Sequence, residues 1–195
     1  MADKLSRFIC KYLSKNNVIT EDLKDIYIYG FEILLSFIFS VLTIILLGLL
    51  TNNIIISLTY LFVFILTRRY VGGYHASTHF KCQLCSLIIF STVMLLTCYF
   101  NVNNTMIYAL VMVGIITILI WAPIENPYKP ITKQQHKKCK FIGLIIFFAT
   151  SIVSLLIRES NITLCNAVFY TQVAVIALMI KPIIEKRREQ NENEV

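Results

Sequence analysis

Long apolar blocks divided by short polar joints fill most of the chain, at approximately 31–50, 53–67, 83–100, 105–122, 141–157 and 163–180. Several come near the roughly 20 residues that an α-helix needs to cross a bilayer core. The pattern predicts an all-α polytopic membrane protein with about six transmembrane helices and a membrane-embedded domain over 31–182. The second block is short unless Arg68, Arg69 and Tyr70 extend it, with the arginine heads snorkelling to the interface. In the segment 1–30, Leu5, Phe8, Ile9, Tyr12 and Leu13 recur at helical spacing, and Lys4, Arg7, Lys11 and Lys15 fill the rest of the wheel. That is an N-terminal amphipathic helix, lying either on the membrane surface or on the protein's own cytoplasmic face. Thr20 ahead of Glu21 and Asp22 predicts the cap of a further helix able to run on into the first span. The segment 183–195 reads as a charged tail, its last eleven residues polar enough to fray.

Orientation follows from the joints. Those at 51–53 and 101–104 carry no charge, and 158–162 carries Arg158 offset by Glu159. The N-terminal segment, 68–82, 123–140 and the tail hold the remaining basic residues, 17 against 1. Under the positive-inside rule those 17 face the cytoplasm, so both termini are expected inside. No uninterrupted apolar stretch of signal-peptide type opens the chain, so the first span is expected to direct insertion itself.

Composition agrees: 57% of residues are hydrophobic and 15% charged, with a mean hydropathy of +0.71, which excludes a soluble fold. A net charge of +7 on a soluble surface would suggest nucleic-acid binding. Clustered between apolar blocks, the same charge argues against a nucleic-acid partner and for anionic lipid or an acidic partner. Six cysteines would suggest disulfides in a small secreted domain. Here most lie in apolar blocks or basic segments, so reduced thiols are expected.

The joint 68–85, RRYVGGYHASTHFKCQLC, holds two of the three histidines and two of the six cysteines. Gly72 and Gly73 permit a bend where a helix would otherwise continue. Three chemistries can be written on the segment. In the first, Cys82 is a nucleophile with His75 as its base, and Lys81, Arg68 and Arg69 add positive charge that favours a thiolate. An unbroken helix would hold residues 75 and 82 roughly 10 Å apart along its axis, so this dyad requires a break between them. In the second, His75, His79 and Cys82, on one helical face, bind a metal in a transporter or sensor, although no carboxylate lies in the segment to orient an imidazole. In the third, Cys82 and Cys85 form a C-x-x-C pair of a membrane thiol oxidoreductase.

GGYHA at 72–76, followed by Cys82, and WAPIENPYKPIT at 121–132, followed by a lysine-rich run, resemble two signatures of the accessory gene regulator B (AgrB) family. Its members are membrane peptidases that process bacterial pheromone precursors. Family members often have Asn where Tyr128 stands here, which bears on the role of that side chain. The resemblance implies a bacterial plasma-membrane cysteine endopeptidase with no cofactor and no metal. It makes His75 the general base and Cys82 the nucleophile, near the cytoplasmic face. It implies a short linear partner peptide with an amphipathic leader, cut through an acyl-enzyme thioester that an internal Cys or Ser can close to a thiolactone or lactone. A homodimer fits the family's habits. The basic residues Arg68, Arg69, Lys129, Lys133, Lys137 and Lys138 then become candidates for docking an acidic tail on that peptide. Glu32 and Glu125, at the membrane edge, read as partners for basic neighbours.

Overall fold

A computed structural model of the 195-residue chain describes residues 2–16, 20, 23–73, 78–124 and 132–192. These residues form seven helices: α1 (Ala2–Lys15), α2 (Lys24–Leu50), α3 (Ile54–Val71), α4 (His79–Tyr99), α5 (Asn104–Trp121), α6 (Lys133–Ile157) and α7 (Ile162–Glu192). Helices α2 to α7 are each long and apolar enough to cross a membrane. The protein is an all-α, multi-pass membrane protein.

The centre of the bundle is the pair α3 and α7, each with 39% of its apolar 18-residue stretch buried, against 17% in α2, α4 and α5 and 22% in α6. Around that pair, α6 packs on α3, α5 and α7, and α4 packs on α2, α3 and α7. The outer surface carries large apolar side chains such as Phe37, Leu46, Phe62, Ile116, Phe148 and Leu156. Ser57, Thr67, Ser151, Thr171 and Gln172 lie buried inside. This inversion follows from the solvent, since lipid tails give apolar groups no reason to hide, while small and polar groups pack helices closely and bond across them. Gln172 of α7 donates to Phe147 O at 3.0 Å and to Thr150 Oγ1 at 2.7 Å, both on α6. Gly114 of α5 takes the Phe147 ring against its backbone, in space that a Cβ would fill.

Several boundaries differ from the hydropathy blocks. Helix α2 starts at Lys24, and its boundary residue is Leu23 with no side-chain cap. The carbonyl of Thr20 takes the Leu23 N–H at 3.2 Å, and Glu21 and Asp22, which the expected Thr20 cap involves, lie outside the described residues. Helix α3 runs on to Val71, so Arg68, Arg69 and Tyr70 do extend the short second block. Helix α6 gains two turns before the apolar block, opened by a reciprocal capping box between Thr132 and Gln135. Helix α7 continues to Glu192, where fraying had been expected. After Pro182 the sequence offers Lys, Glu, Arg and Gln, all good helix formers, with no glycine or proline to stop it.

The amphipathic helix α1 packs on α2, burying Ser6 and Cys10. Its Leu5, Phe8 and Tyr12 stay exposed, so one edge faces the protein and the other faces outward. Burial pushes the Cys10 thiol above its ordinary range.

Candidate active site

The site begins where α3 stops. Gly72 ends the helix with φ +77°, and its N–H donates to Arg68 O at 3.0 Å. Gly73 follows at φ +137°. Both angles belong to the region that side chains with a Cβ avoid. Space excludes a Cβ as well: at Gly72 it would meet the backbone of Ile124, and at Gly73 the guanidinium of Arg68. The close approach to Ile124 is a main-chain pairing, in which the Ile124 N–H donates to Val71 O at 3.0 Å and Gly72 and Ile124 form a parallel bridge. Ile124 follows the end of α5 by three residues, beyond Pro123, whose missing N–H and fixed φ end the helix. The exits of α3 and α5, far apart in the chain, are thereby tied together. Lys140 of α6 donates from Nζ to Leu119 O at 2.7 Å, placing a cation on the carbonyl end of α5.

Helix α4 begins at the other side of the same joint. Thr78 is extended (φ −136°, ψ 148°) and caps the helix, its Oγ1 accepting the Lys81 N–H at 3.3 Å and its carbonyl the Cys82 N–H at 3.0 Å. A local Thr-x-x-Lys spacing suffices for this, since a threonine oxygen can satisfy an unpaired N–H of the first turn. His79, Cys82 and Cys85 share α4, but extended Thr78 lies between His75 and that helix, so the four do not form one continuous helical row. Cys82 is exposed in the first turn or just past it, Cys85 is half-buried, and both are free thiols. His75, Lys129 and Glu125 lie outside the described residues, as does the side chain of His79.

Helices α3 and α4 run antiparallel with a readable register. The rings of Tyr60 and Phe90 meet at 5.2 Å between centroids. Eight residues along each chain from that contact, or about 12 Å, stand Arg68 on α3 and Cys82 on α4. The two interact electrostatically across the interface. Arg68 also sits over the Phe64 ring at 5.9 Å, and its Nη1 donates to Gly72 O at 3.2 Å. Arg69 is exposed, over the Tyr70 ring at 5.8 Å. The arginines paired in the sequence thus separate, because neighbours on a helix point about 100° apart. Lys133, Lys137 and Lys138 are exposed on the first turns of α6. Glu32 accepts a hydrogen bond from the Ser6 hydroxyl at 3.4 Å. Sequence reasoning missed Ile124, Phe64 and Thr78; only the i, i+4, i+8 row of Tyr60, Phe64 and Arg68 was visible as a spacing.

A cavity of about 260 Å³ lies far from this chemistry, between the α2–α3 and α6–α7 turns, lined by Asn52, Asn53, Asn161 and Thr163 among others.

Comparison with known proteins adds an independent line. The chain is 25% identical over 181 residues to accessory gene regulator protein B of Staphylococcus aureus (strain MRSA252), covering 93% of this chain and 91% of that protein. It is 32% identical over 96 residues to accessory gene regulator protein B of Staphylococcus haemolyticus (strain JCSC1435), covering 49% of this chain and 51% of that one. No solved structure matches. The sequence profile described as Accessory gene regulator B matches residues 6–181, from α1 through the last span and across both signature segments. This chain belongs to the accessory gene regulator B family.

Proposed function

We propose that this chain is a membrane cysteine endopeptidase that cuts a short quorum-sensing pheromone precursor on the cytoplasmic side of a bacterial plasma membrane. Cys82 is its nucleophile and His75 its general base. The observation that carries the reading is the setting of Cys82: an exposed thiol at the start of α4, the helix that follows a glycine turn from one family signature whose backbone is paired with the other. Family membership supplies the substrate class, and the 17-to-1 distribution of basic residues supplies the orientation.

In this mechanism the imidazole of His75 accepts the Cys82 proton and the thiolate attacks the scissile carbonyl carbon. The imidazolium then protonates the leaving amine, and an acyl-enzyme thioester remains. A Cys or Ser within the bound precursor attacks that thioester and frees Cys82, closing a thiolactone or lactone. Ring closure is favoured over hydrolysis because the acceptor is held on the same chain at high effective concentration. Side chains on a helix tilt toward its N-terminus, so the Cys82 sulfur leans toward the His79 and Phe80 N–H groups at the head of α4. Those donors, which a helix leaves without partners in its own ladder, are suited to the oxyanion. The exposed lysines Lys133, Lys137 and Lys138, with Lys129 and Arg69, dock the acidic tail, and the amphipathic leader lies on the bilayer.

The test is co-expression with a short precursor from the same locus, followed by mass measurement of the products. Wild type should yield the trimmed or cyclised peptide, and Cys82→Ala and His75→Ala should yield none. His79→Ala and Cys85→Ser should process normally, which separates the dyad from metal and dithiol chemistry. Product formed by Cys82→Ala would end the reading.

A further inference from the structure

Arg68 was grouped with Arg69 as a docking charge, but its surroundings point to a different task. It is part-buried rather than displayed, its Nη1 is engaged by Gly72 O at 3.2 Å, and its flat face rests over Phe64 at 5.9 Å from the ring centroid. Phe64 is in turn fixed by stacking on Tyr60 at 5.1 Å, and Tyr60 is buried against Phe90 of α4. This column of rings sets the height of the guanidinium, and the register it imposes leaves Arg68 level with Cys82. The space that a Cβ on Gly73 would take is filled by the same guanidinium, so the turn and the arginine fit only together.

We propose that Arg68 is a positioning residue of the Cys82 site: one planar cation that holds the Gly72–Gly73 turn in place and presents its charge to the Cys82 sulfur. The proposal rests on the reading of Cys82 as the nucleophile. A guanidinium suits both tasks because its five donors lie in one rigid plane and it stays charged at any working pH. Other charges on the elements around α4 are disposed differently. Arg69 and Lys81 are exposed, Glu32 of α2 takes the Ser6 hydroxyl at 3.4 Å, and Lys181 lies toward the end of α7.

The experiment measures alkylation of Cys82 by iodoacetamide against pH, in the full-length protein in lipid nanodiscs, with Cys82 followed by peptide mass. No precursor is present, so the outcome is independent of whether the peptidase reading survives its own test. Arg68→Gln should slow alkylation at neutral pH about tenfold, through loss of the cation level with the sulfur. Arg68→Lys should restore the rate, whereas Lys11→Gln, at an exposed cation of α1, should leave it as in wild type. Phe64→Leu keeps the charge but removes its seat, and should slow alkylation about threefold; it serves as the deciding variant if Arg68→Gln fails to fold. A wild-type profile in Arg68→Gln, or in Phe64→Leu where that variant decides, would overturn the proposal. So would an equal slowing in Lys11→Gln, or an Arg68→Lys variant that behaves like the glutamine one.

Discussion

At the sparsely charged end of the bundle the turns are tied by side-chain amides, whereas the basic end combines cationic side chains with a main-chain pairing. Asn166 of α7 accepts the Val102 N–H at 3.1 Å and donates to Thr97 O at 3.3 Å and Asn101 Oδ1 at 3.1 Å. Arg158 adds a bond to Val102 O at 3.2 Å, and Tyr170 adds one to Phe100 O at 3.3 Å. The basic end has Lys140 on Leu119 O at 2.7 Å and Arg68 on Gly72 O at 3.2 Å, and adds the main-chain pairing of Val71 and Gly72 with Ile124. An end that only has to hold can commit its polar side chains to one another. The basic end keeps Lys133, Lys137, Lys138 and the Cys82 thiol exposed, and its tie between the α3 and α5 exits is made by backbone.

The largest effect that would test this contrast is a charge reversal. Replacing Lys133, Lys137 and Lys138 together with glutamate should abolish precursor cleavage, read by product mass, while membrane insertion stays as in wild type. Unchanged processing would remove the docking role from the basic end. Next comes Gly72→Ala, which forces a Cβ into the backbone of Ile124 at φ +77°. Backbone strain of this kind costs about 1–3 kcal/mol, here localised to the site. Product should fall about tenfold while the thermal midpoint of the bundle in detergent moves little. A normal rate with a lowered midpoint would make the turn a general support. Asn166→Ala should behave in the opposite way. It orphans a buried N–H and two acceptors, a loss of about 1–3 kcal/mol that appears in the thermal midpoint, with product per folded molecule unchanged.

The six spans were legible because hydropathy reports contact with lipid, and each apolar block became a helix. Helix ends were less legible for the same reason: α2, α6 and α7 continue past the lipid into polar residues that are good helix formers. The start of α6 could have been read from Thr132 and Gln135, a capping box written plainly in the chain. At the site, the twin glycines announced a bend, but nothing local names Ile124 as its partner, since the pairing joins residues 52 positions apart. Arg68 and Arg69 looked equivalent because a sequence records adjacency, while a helix turns adjacent residues to different surroundings. The relation of His75 to Cys82 rests on family resemblance, with the extended Thr78 marking where α4 begins.

The knot between the two connections is made where they leave the helices, by Val71 at the end of α3, Gly72 just after it, and Ile124 three residues past α5. Whatever length or composition follows is strung from an anchor already fastened. Lengthening a connection costs little entropy once its ends are fixed. The pairing therefore fixes where both connections start, independently of what each goes on to do.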